Sequence, residues 1–278
     1  MWRAKANAPC VHHVHCIGTK AANNAGKLSG IDDSQAPISM RDVGQKMKIT
    51  WLGHSAFRVD AGKSVIMIDP FISANGKYKG TLDEASQGAT HVLLTHGHDD
   101  HIGDAVQIAK NTGAQIVSNY EICMFLMAQG VNNINPGNTG GTVSCGDFKL
   151  SFTQAQHSSG TVVDGKSIYL GNPNGLIVKP DNGPSLYHMG DTDIFGDMAL
   201  INEFHAPDIG IVPVGDRFTM SGKVAAVAVK RFFNFKAVLP CHYGTFDLLC
   251  SNADDFVAGL AGSTTKVHVP PVGGSVSF

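Results

Sequence analysis

Short apolar runs, separated by turns that carry glycine, dominate the chain from residue 47 to its C-terminus. The first three runs, at 47–52, 56–59 and 64–68, are too short for helices and predict a strand meander. Beyond them, strand-like runs alternate with segments of helical period. The later predicted strands are 92–95, 115–118, 168–170, 175–178, 185–188, 209–214, 237–239 and 266–269. Residues 143–156 are predicted to form a hairpin that turns near 146–147. The predicted helices are 104–111, 120–129, 197–204, 223–233 and 252–260. Two strand-rich halves with helices between their strands, and no linker, predict a single α/β domain.

Residues 1–46 lack this periodic pattern and are rich in Ala, Asn, Gly and Ser. We interpret them as an appended or disordered N-terminal extension, and we place the folded domain at 47–278. A targeting segment is the alternative, since no acidic residue precedes Asp32, as in transit peptides. It is the weaker interpretation because the segment has neither an Arg-rich amphipathic pattern nor an apolar signal core.

The densest polar cluster of the chain is the sequence THGHDDH at 95–101, which follows a short apolar run. A strand-to-helix turn at this place would direct side chains from a rigid scaffold into open space. Neutral imidazole and carboxylate are ligand types that suit Zn, Mn and Fe. His96 and His98 are two residues apart, so an extended chain directs both to one side. Asp100 and His101 follow as the chain turns, in a position to face a second ion.

Three further residues that can bind metal stand where apolar runs end. His157 follows the predicted hairpin, Asp191 follows the run at 185–188, and His242 follows the run at 237–239. Each of the three lies within three residues of a glycine. One such coincidence would be weak, but the repetition in chain order indicates side chains gathered at the ends of neighbouring strands.

Together these seven residues resemble the metal ligands of the metallo-β-lactamase superfamily. In that superfamily a His-x-His-x-Asp-His turn, a later His, a later Asp and a final His bind two metal ions, and every position has a match here. Flanking motifs are similar to one branch, the metal-dependent hydrolases akin to ascorbate phosphate lactonase and N-acyl-phosphatidylethanolamine phospholipase D. These motifs are WLGHSAF at 51–57, IDPF at 68–71, GDTD at 190–193, GDRFTM at 215–220 and HYGTF at 242–246. The resemblance extends from Met47 to the C-terminus and does not fix a substrate.

The resemblance implies an αββα sandwich, the metallo-β-lactamase fold, with a site for two divalent ions. One ion would be bound by His96, His98 and His157, the other by Asp100, His101 and His242, and Asp191 would bridge the two. Zinc is the first choice for both ions, with manganese and iron as alternatives. Two ions that share a water lower its pKa toward about 7, so the implied function is hydrolysis of an ester, lactone or phosphodiester of a small molecule by the resulting hydroxide. Asp100 is then the catalytic residue that orients the water or accepts its proton.

A redox function is the alternative, because superfamily relatives include mononuclear iron sulfur dioxygenases and diiron flavoproteins. The complete second ligand set of Asp100, His101 and His242 favours two metals over one. The sequence contains no flavodoxin-like segment, which disfavours a flavoprotein. The intact ligand set also disfavours a non-catalytic scaffold.

Four other residues are candidates for contacts with the ligands or the substrate: His54, Asp69, Arg217 and Tyr243. His54 is either a pocket residue, a hydrogen-bond partner of a ligand, or a structural loop histidine. Asp69 ends a strand, where the resemblance implies a carboxylate that fixes the tautomer of a ligating histidine. Arg217 would hold a phosphate or carboxylate bidentately, unless it is an exposed loop arginine. Tyr243 would donate to a substrate oxyanion, unless it serves packing.

Composition and charge favour a small-molecule partner. The 278 residues are 43% hydrophobic and carry a net charge of −2, so no basic face for nucleic acid is indicated. No apolar run reaches the length of about 18 residues that indicates a transmembrane helix. The six cysteines are scattered without a paired framework, which favours reduced thiols and a cytoplasmic location. A homo-oligomer is compatible with all of these features.

Deleting residues 1–46 should have little effect on the folding, metal content or catalytic rate of the rest of the chain, because the extension carries no core-forming pattern. Circular dichroism, metal analysis and turnover, measured side by side on the full chain and on residues 47–278, test this expectation. A shortened chain that fails to fold or to bind metal would show that the extension belongs to the domain.

Overall fold

The computed structural model describes residues 46–278, so the predicted extension lies outside the described residues except for its last position. The helices in this range are α1 (Leu82–Ser86), α2 (Asp99–Ile102), α3 (Ala105–Thr112), α4 (Tyr120–Met127), α5 (Met198–His205), α6 (Gly222–Phe232) and α7 (Asp254–Gly259). The strands are β1 (Met47–Trp51), β2 (Phe57–Ala61), β3 (Ser64–Ile68), β4 (His91–Leu93), β5 (Gln115–Asn119), β6 (Ile134–Gly137), β7 (Thr142–Ser144), β8 (Phe148–Gln154), β9 (Gly160–Val163), β10 (Lys166–Tyr169), β11 (Asn174–Pro180), β12 (Leu186–His188), β13 (Ile209–Pro213), β14 (Ala237–Cys241), β15 (Lys266–Val267) and β16 (Ser275–Ser277). Within this range, no helix combines the length and the apolar character that crossing a bilayer requires.

Two seven-stranded mixed sheets and one separate hairpin are formed by these strands. The first sheet has the order β16-β1-β2-β3-β4-β5-β6, and the second has the order β15-β14-β13-β12-β11-β8-β7. The antiparallel β1–β2–β3 and β7–β8 pairs confirm the predicted meander and hairpin. The remaining strands, β9 and β10, pair only with each other and form the β9–β10 hairpin.

A large buried cluster joins side chains from both sheets. It includes Phe57 and Ile68 of the first sheet and Phe152, Tyr187 and Leu239 of the second, all fully or almost fully buried. A second cluster lies between the first sheet and helices α1, α3 and α4, while buried residues of α6 join the large cluster at β13. Burial of apolar surface on this scale is the dominant favourable term in folding. The helices therefore flank two packed sheets, which confirms the predicted α/β sandwich.

The strands differ in how many faces they bury, and the sequence shows why. Strand β1 alternates buried and more exposed residues, as expected for a strand with one face in the core. Strands β13 and β14 are buried at every position, because they run parallel in the interior of the second sheet with both faces covered. Strand β14 includes Pro240 and ends at Cys241, beyond the predicted end at residue 239.

Five short elements are not predicted by the apolar pattern: α1, α2, β6, β9 and β16. Helix α2 has only four residues, so it leaves no room for a helical period, although it carries two of the predicted metal ligands. Strand β9 is half-buried to exposed throughout, and β16 pairs with β1 at the edge of the first sheet. Short elements with little buried surface give no periodic signal, so their absence from the prediction has a simple physical cause.

Candidate metal centre

The structure brings the seven predicted ligands together, each beyond the end of a strand. The first sheet supplies the four residues of the 96–101 turn, which follows β4 and continues into α2. The second sheet supplies His157 after β8, Asp191 after β12 and His242 after β14. His98 occupies the N-cap position of α2, so the helix directs Asp100 and His101 away from the strand.

The three histidines predicted for one ion form one group. Donor atoms of His96, His98 and His157 all lie within 4.8 Å of one another. His96 is buried, and the other two are partly exposed. Nε2 of His96 lies 2.9 Å from Nδ1 of His98, whose Nε2 lies 3.2 Å from Oγ of Ser158. Three imidazole nitrogens at this spacing fit one divalent ion.

The residues predicted for the second ion form another group, which also includes His54. Donor atoms of His54, Asp100, His101 and His242 lie within 4.8 Å of one another. Nε2 of His54 lies 3.1 Å from Oδ2 of Asp100, and the rings of His54 and His242 are 4.2 Å apart between centroids. The structure thus places His54 inside the cluster and not on a remote loop.

Asp191 lies between the two groups. Its Oδ2 is 2.8 Å from Nε2 of His242, 3.4 Å from Nε2 of His101 and 3.6 Å from Nε2 of His157. The first two histidines belong to one group and His157 to the other. One carboxylate oxygen therefore faces both groups, as a bridging ligand must.

Four buried atoms of the cluster have no hydrogen-bond partner, and two of them, Nε2 of His101 and Oδ1 of Asp191, belong to side chains that face each other. Nε2 of His101 lies 3.4 Å from Oδ2 of Asp191, which is close enough for an ion pair but lacks the alignment of a hydrogen bond. Leaving a buried polar group unsatisfied costs about 1–3 kcal/mol. A divalent cation would satisfy both atoms, so the donor set fits metal ions.

The protonation equilibria of the cluster reflect burial and opposite charge acting together. Burial, reinforced by the neighbouring His101, lowers the pKa of His96 well below its ordinary value. Burial opposes charging of His101 and Asp191 as well, but it is outweighed by their attraction for each other and for Asp69 and His242. The pKa of His101 is therefore raised and that of Asp191 lowered. The Asp191 carboxylate between the two groups is therefore held in its ionised form, which is the form that binds a cation.

Asp69 hydrogen-bonds to one ligand candidate directly and to another through a threonine. Its Oδ2 accepts from Nδ1–H of His101 at 2.8 Å and from the Thr95 hydroxyl at 2.6 Å. Because that hydroxyl donates to the carboxylate, its oxygen is left to accept from Nδ1–H of His96 at 2.9 Å. These hydrogen bonds occupy Nδ1 of both histidines, which leaves Nε2 as the nitrogen that would bind a metal ion once it is deprotonated. The structure thus places Asp69 against two candidate ligands, and its role of fixing the tautomer of a ligating histidine stays a prediction.

Burial and the hydrogen bond with Asp100 determine the protonation state of His54. Burial lowers the pKa of His54 to about 4, against the opposing influence of Asp100. Burial also opposes ionisation of Asp100, but the hydrogen bond from His54 and the charge of His101 outweigh it and lower the pKa of that carboxyl. A neutral His54 therefore donates from Nε2–H to an ionised Asp100.

The backbone is strained at three residues of the site. His54, Asp69 and His242 have φ angles of 51°, 44° and 61°, in the left-handed region that non-glycine residues rarely adopt. Such conformations cost on the order of 1–3 kcal/mol each and persist only where the surrounding structure imposes them. Each one turns the chain sharply at the end of a strand, which directs the side chain into the cluster.

Tyr243 and Arg217 do not join the cluster. Tyr243 is buried, and its ring lies 5.0 Å from that of Trp51, so packing accounts for its position. Arg217 is exposed, with its guanidinium 5.6 Å from the centre of the Phe218 ring. Arg217 is not among the described residues that line the cavity above the cluster. The structure thus matches the alternatives of a packing tyrosine and an exposed loop arginine.

A cavity of about 690 Å³ opens above the cluster, with His98 and Asp100 in its lining. Its other walls come from Phe71, from Phe246 and from the β9–β10 hairpin. Sequence reasoning missed these walls. The two phenylalanines lie within the IDPF and HYGTF motifs, so a signal existed for them. Strand β9 of the hairpin gave none, because its residues show neither an apolar run nor a clear alternation, and the predicted strand at 168–170, which overlaps β10, did not indicate a wall of the cavity.

Comparison with known proteins agrees with this architecture. A family model described as a beta-lactamase superfamily domain matches residues 48–242, a range that contains all seven predicted ligands. A UPF0173 metal-dependent hydrolase of Methylocella silvestris is 63% identical over 232 residues, which are 84% of this chain and 100% of the relative. Another, from Agrobacterium fabrum, is 53% identical over 234 residues, with the same two coverages of 84% and 100%. The solved structure of Igni18, a metallo hydrolase from Ignicoccus hospitalis, has a TM-score of 0.75 at 34% identity and covers 84% of this chain and 98% of its own.

Fold, site and relatives together define a metal-dependent hydrolase with the metallo-β-lactamase fold. The chain belongs to the beta-lactamase superfamily, in the group of UPF0173 metal-dependent hydrolases. The predicted superfamily and fold are confirmed. The more specific likeness to ascorbate phosphate lactonase and to the phospholipase D stays a prediction.

Proposed function

We propose that this chain is a binuclear metallohydrolase that cleaves an ester, lactone or phosphodiester bond of a small molecule. The observation that carries the proposal is the position of Asp191 Oδ2, within 3.6 Å of histidines from both groups. A bridging carboxylate has a function only where two ions lie side by side. The names of the relatives support hydrolysis over the alternative of an iron dioxygenase.

Two groups of ligands are proposed for the two ions. His96, His98 and His157 would hold one, and Asp100, His101 and His242 the other, with Asp191 bridging. Zinc is proposed first, because tetrahedral sites of nitrogen and oxygen ligands suit it, with manganese and iron as alternatives. When bound, the ions supply a nucleophile at neutral pH and stabilise negative charge that develops on a substrate oxygen.

The side chains around the ligands then have distinct tasks. Asp100 lines the cavity, so its carboxylate is in place to orient a water or to accept its proton. His54 donates to that carboxylate and acts as its positioning residue. Asp69 fixes the tautomers of His101 and, through Thr95, of His96.

Two broader features complete the proposal. Residues 47–278 form the catalytic domain, and residues 1–46 are an extension that the reaction does not need. The four cysteines in the described range are free, and three of them are buried. Unpaired thiols are typical of proteins in a reducing compartment, so the cytoplasm is the proposed location.

Metal analysis combined with a substrate panel tests the proposed function. We expect about two zinc or manganese ions per chain and a colourless protein that hydrolyses at least one member of a panel of lactones, carboxylic esters, thioesters and phosphodiesters. Hydrolysis should disappear on chelation and return when zinc or manganese is added back. A protein that holds one iron per chain and consumes oxygen with a persulfide would instead be the dioxygenase.

A further inference from the structure

One wall of the cavity above the cluster is apolar although water reaches it. Val162 and Tyr169 of the β9–β10 hairpin are 66% and 67% exposed, and Phe246 is 42% exposed. Ile168 and Phe71, which are more buried, continue the same wall. Exposed apolar side chains that gather around a concave site mark a surface where a ligand binds.

This apolar wall begins beside the proposed metal ligands. The ring of Phe246 lies 5.3 Å from the ring of His54 and 6.1 Å from the ring of Phe71, measured between centroids. His98 and Asp100 line the same cavity. A substrate whose scissile group reaches the ions would therefore extend its remaining part along this wall.

The charged residues of the lining have only one sign. Asp99 and Asp100 line the cavity, and no lysine or arginine between residues 46 and 278 does. Asp99 is exposed and accepts a hydrogen bond from the hydroxyl of Thr161, which ties the carboxylate to the hairpin at the mouth of the cavity. A negatively charged substituent that extends away from the metal ligands toward the hairpin would meet this carboxylate, and the described residues of the lining include no lysine or arginine to pair with it.

From these observations we infer that the substrate carries an uncharged, apolar acyl or alkyl group, bound on the wall of Phe71, Phe246 and the β9–β10 hairpin. Substrates with an anionic group at that position are rejected by Asp99. The inference rests on the proposed function and narrows it to neutral esters or lactones with an apolar chain.

Hydroxamates are suitable probes, because the same hydroxamate head group chelates the metal in every member of the series and the tail extends into the cavity whether or not turnover occurs. Each buried CH₂ is worth about fourfold in affinity. Calorimetric titration of the zinc-loaded full chain should show hexanohydroxamate binding at least about tenfold tighter than acetohydroxamate. Succinate monohydroxamate, which replaces the terminal methyl of butyrohydroxamate by a carboxylate, should bind about tenfold more weakly than butyrohydroxamate.

Variants assign these preferences to the wall. Phe246→Ala should weaken the binding of hexanohydroxamate by about tenfold and the binding of acetohydroxamate much less. Phe204→Ala is the matched control, because Phe204 is 73% exposed on α5 and does not line the cavity. Val162→Ser is a second variant of the wall, chosen because the Val162 side chain is largely exposed and adds little to the core. It should also weaken the binding of hexanohydroxamate more than that of acetohydroxamate. Asp99→Asn keeps the acceptor for Thr161 and should raise the affinity for the succinate probe relative to butyrohydroxamate.

Equal affinities for short and long tails, or an anionic tail bound as tightly as the neutral one, would overturn the inference. The two proposals fail separately. A clear tail preference without turnover of any substrate would refute hydrolysis and leave the inferred binding wall intact. Turnover of esters with no preference for chain length or charge would refute the inferred role of the apolar wall and leave the proposed hydrolase function intact.

Discussion

Replacing Asp191 by asparagine should give a folded protein that holds about one metal ion per chain and turns its substrate over orders of magnitude more slowly. Asparagine has nearly the same shape, so the packing around residue 191 should survive. It lacks the negative charge that lies between the two groups of histidines, so two ions would repel each other more strongly. The site should then lose affinity for one of them.

Metal stoichiometry, circular dichroism and turnover measured on one sample test this expectation. Asp208→Asn is a suitable control, since Asp208 accepts hydrogen bonds from Ser185 and pairs with Lys236 at 2.7 Å, outside the metal-binding groups. The control should keep both ions and normal turnover. Two tightly held ions and near-normal turnover in Asp191→Asn would mean that Asp191 is not the bridge.

His98→Ala should remove hydrolase activity and lower the metal content. His98 contributes one of the three donor atoms of its group, and its Nδ1 lies 2.9 Å from Nε2 of His96. An ion left with two histidines and the proposed bridging carboxylate of Asp191 would bind much more weakly, because alanine offers no replacement donor.

The matched control is His205→Ala, which removes a partly exposed imidazole at the end of α5. It should leave metal content and turnover unchanged. Full metal and full turnover in His98→Ala would refute the assignment of the site.

The clustering of the seven candidate ligands could be predicted because the turn at 96–101, His157, Asp191 and His242 each follow an apolar run. Strand ends of one sheet meet at one edge, which brings Asp191 and His242 of the second sheet to 2.8 Å between Oδ2 and Nε2. Packing of the two sheets then adds His101 of the first sheet to the group of His242. The strands can be recognised in the sequence because burial of one or both faces requires a short run of apolar residues. The repeated position of a metal-capable side chain after a strand therefore contained most of the information about the site.

Contacts that depend on side-chain direction could not be predicted in this way. Asp100 and His54 are 46 residues apart, and nothing local indicates that their side chains meet. The same holds for Asp69 and Thr95, 26 residues apart. The sequence left two alternatives open for Arg217, a substrate contact or an exposed loop arginine, because the left-handed backbone at residues 216 and 217 has no sequence signal in non-glycine residues; the side chain is exposed.

Each group of ligands draws on both sheets, and this has a thermodynamic consequence. His157 of the second sheet joins His96 and His98 of the first, and His242 of the second joins His101 of the first. An ion bound at either group, as proposed, would be a cross-link between two layers that are otherwise held together by their apolar core. Because a ligand that binds only the folded chain stabilises it by about 2.7 kcal/mol at a hundredfold excess over its Kd, the melting temperature of this protein should rise and fall with the concentration of free metal around it.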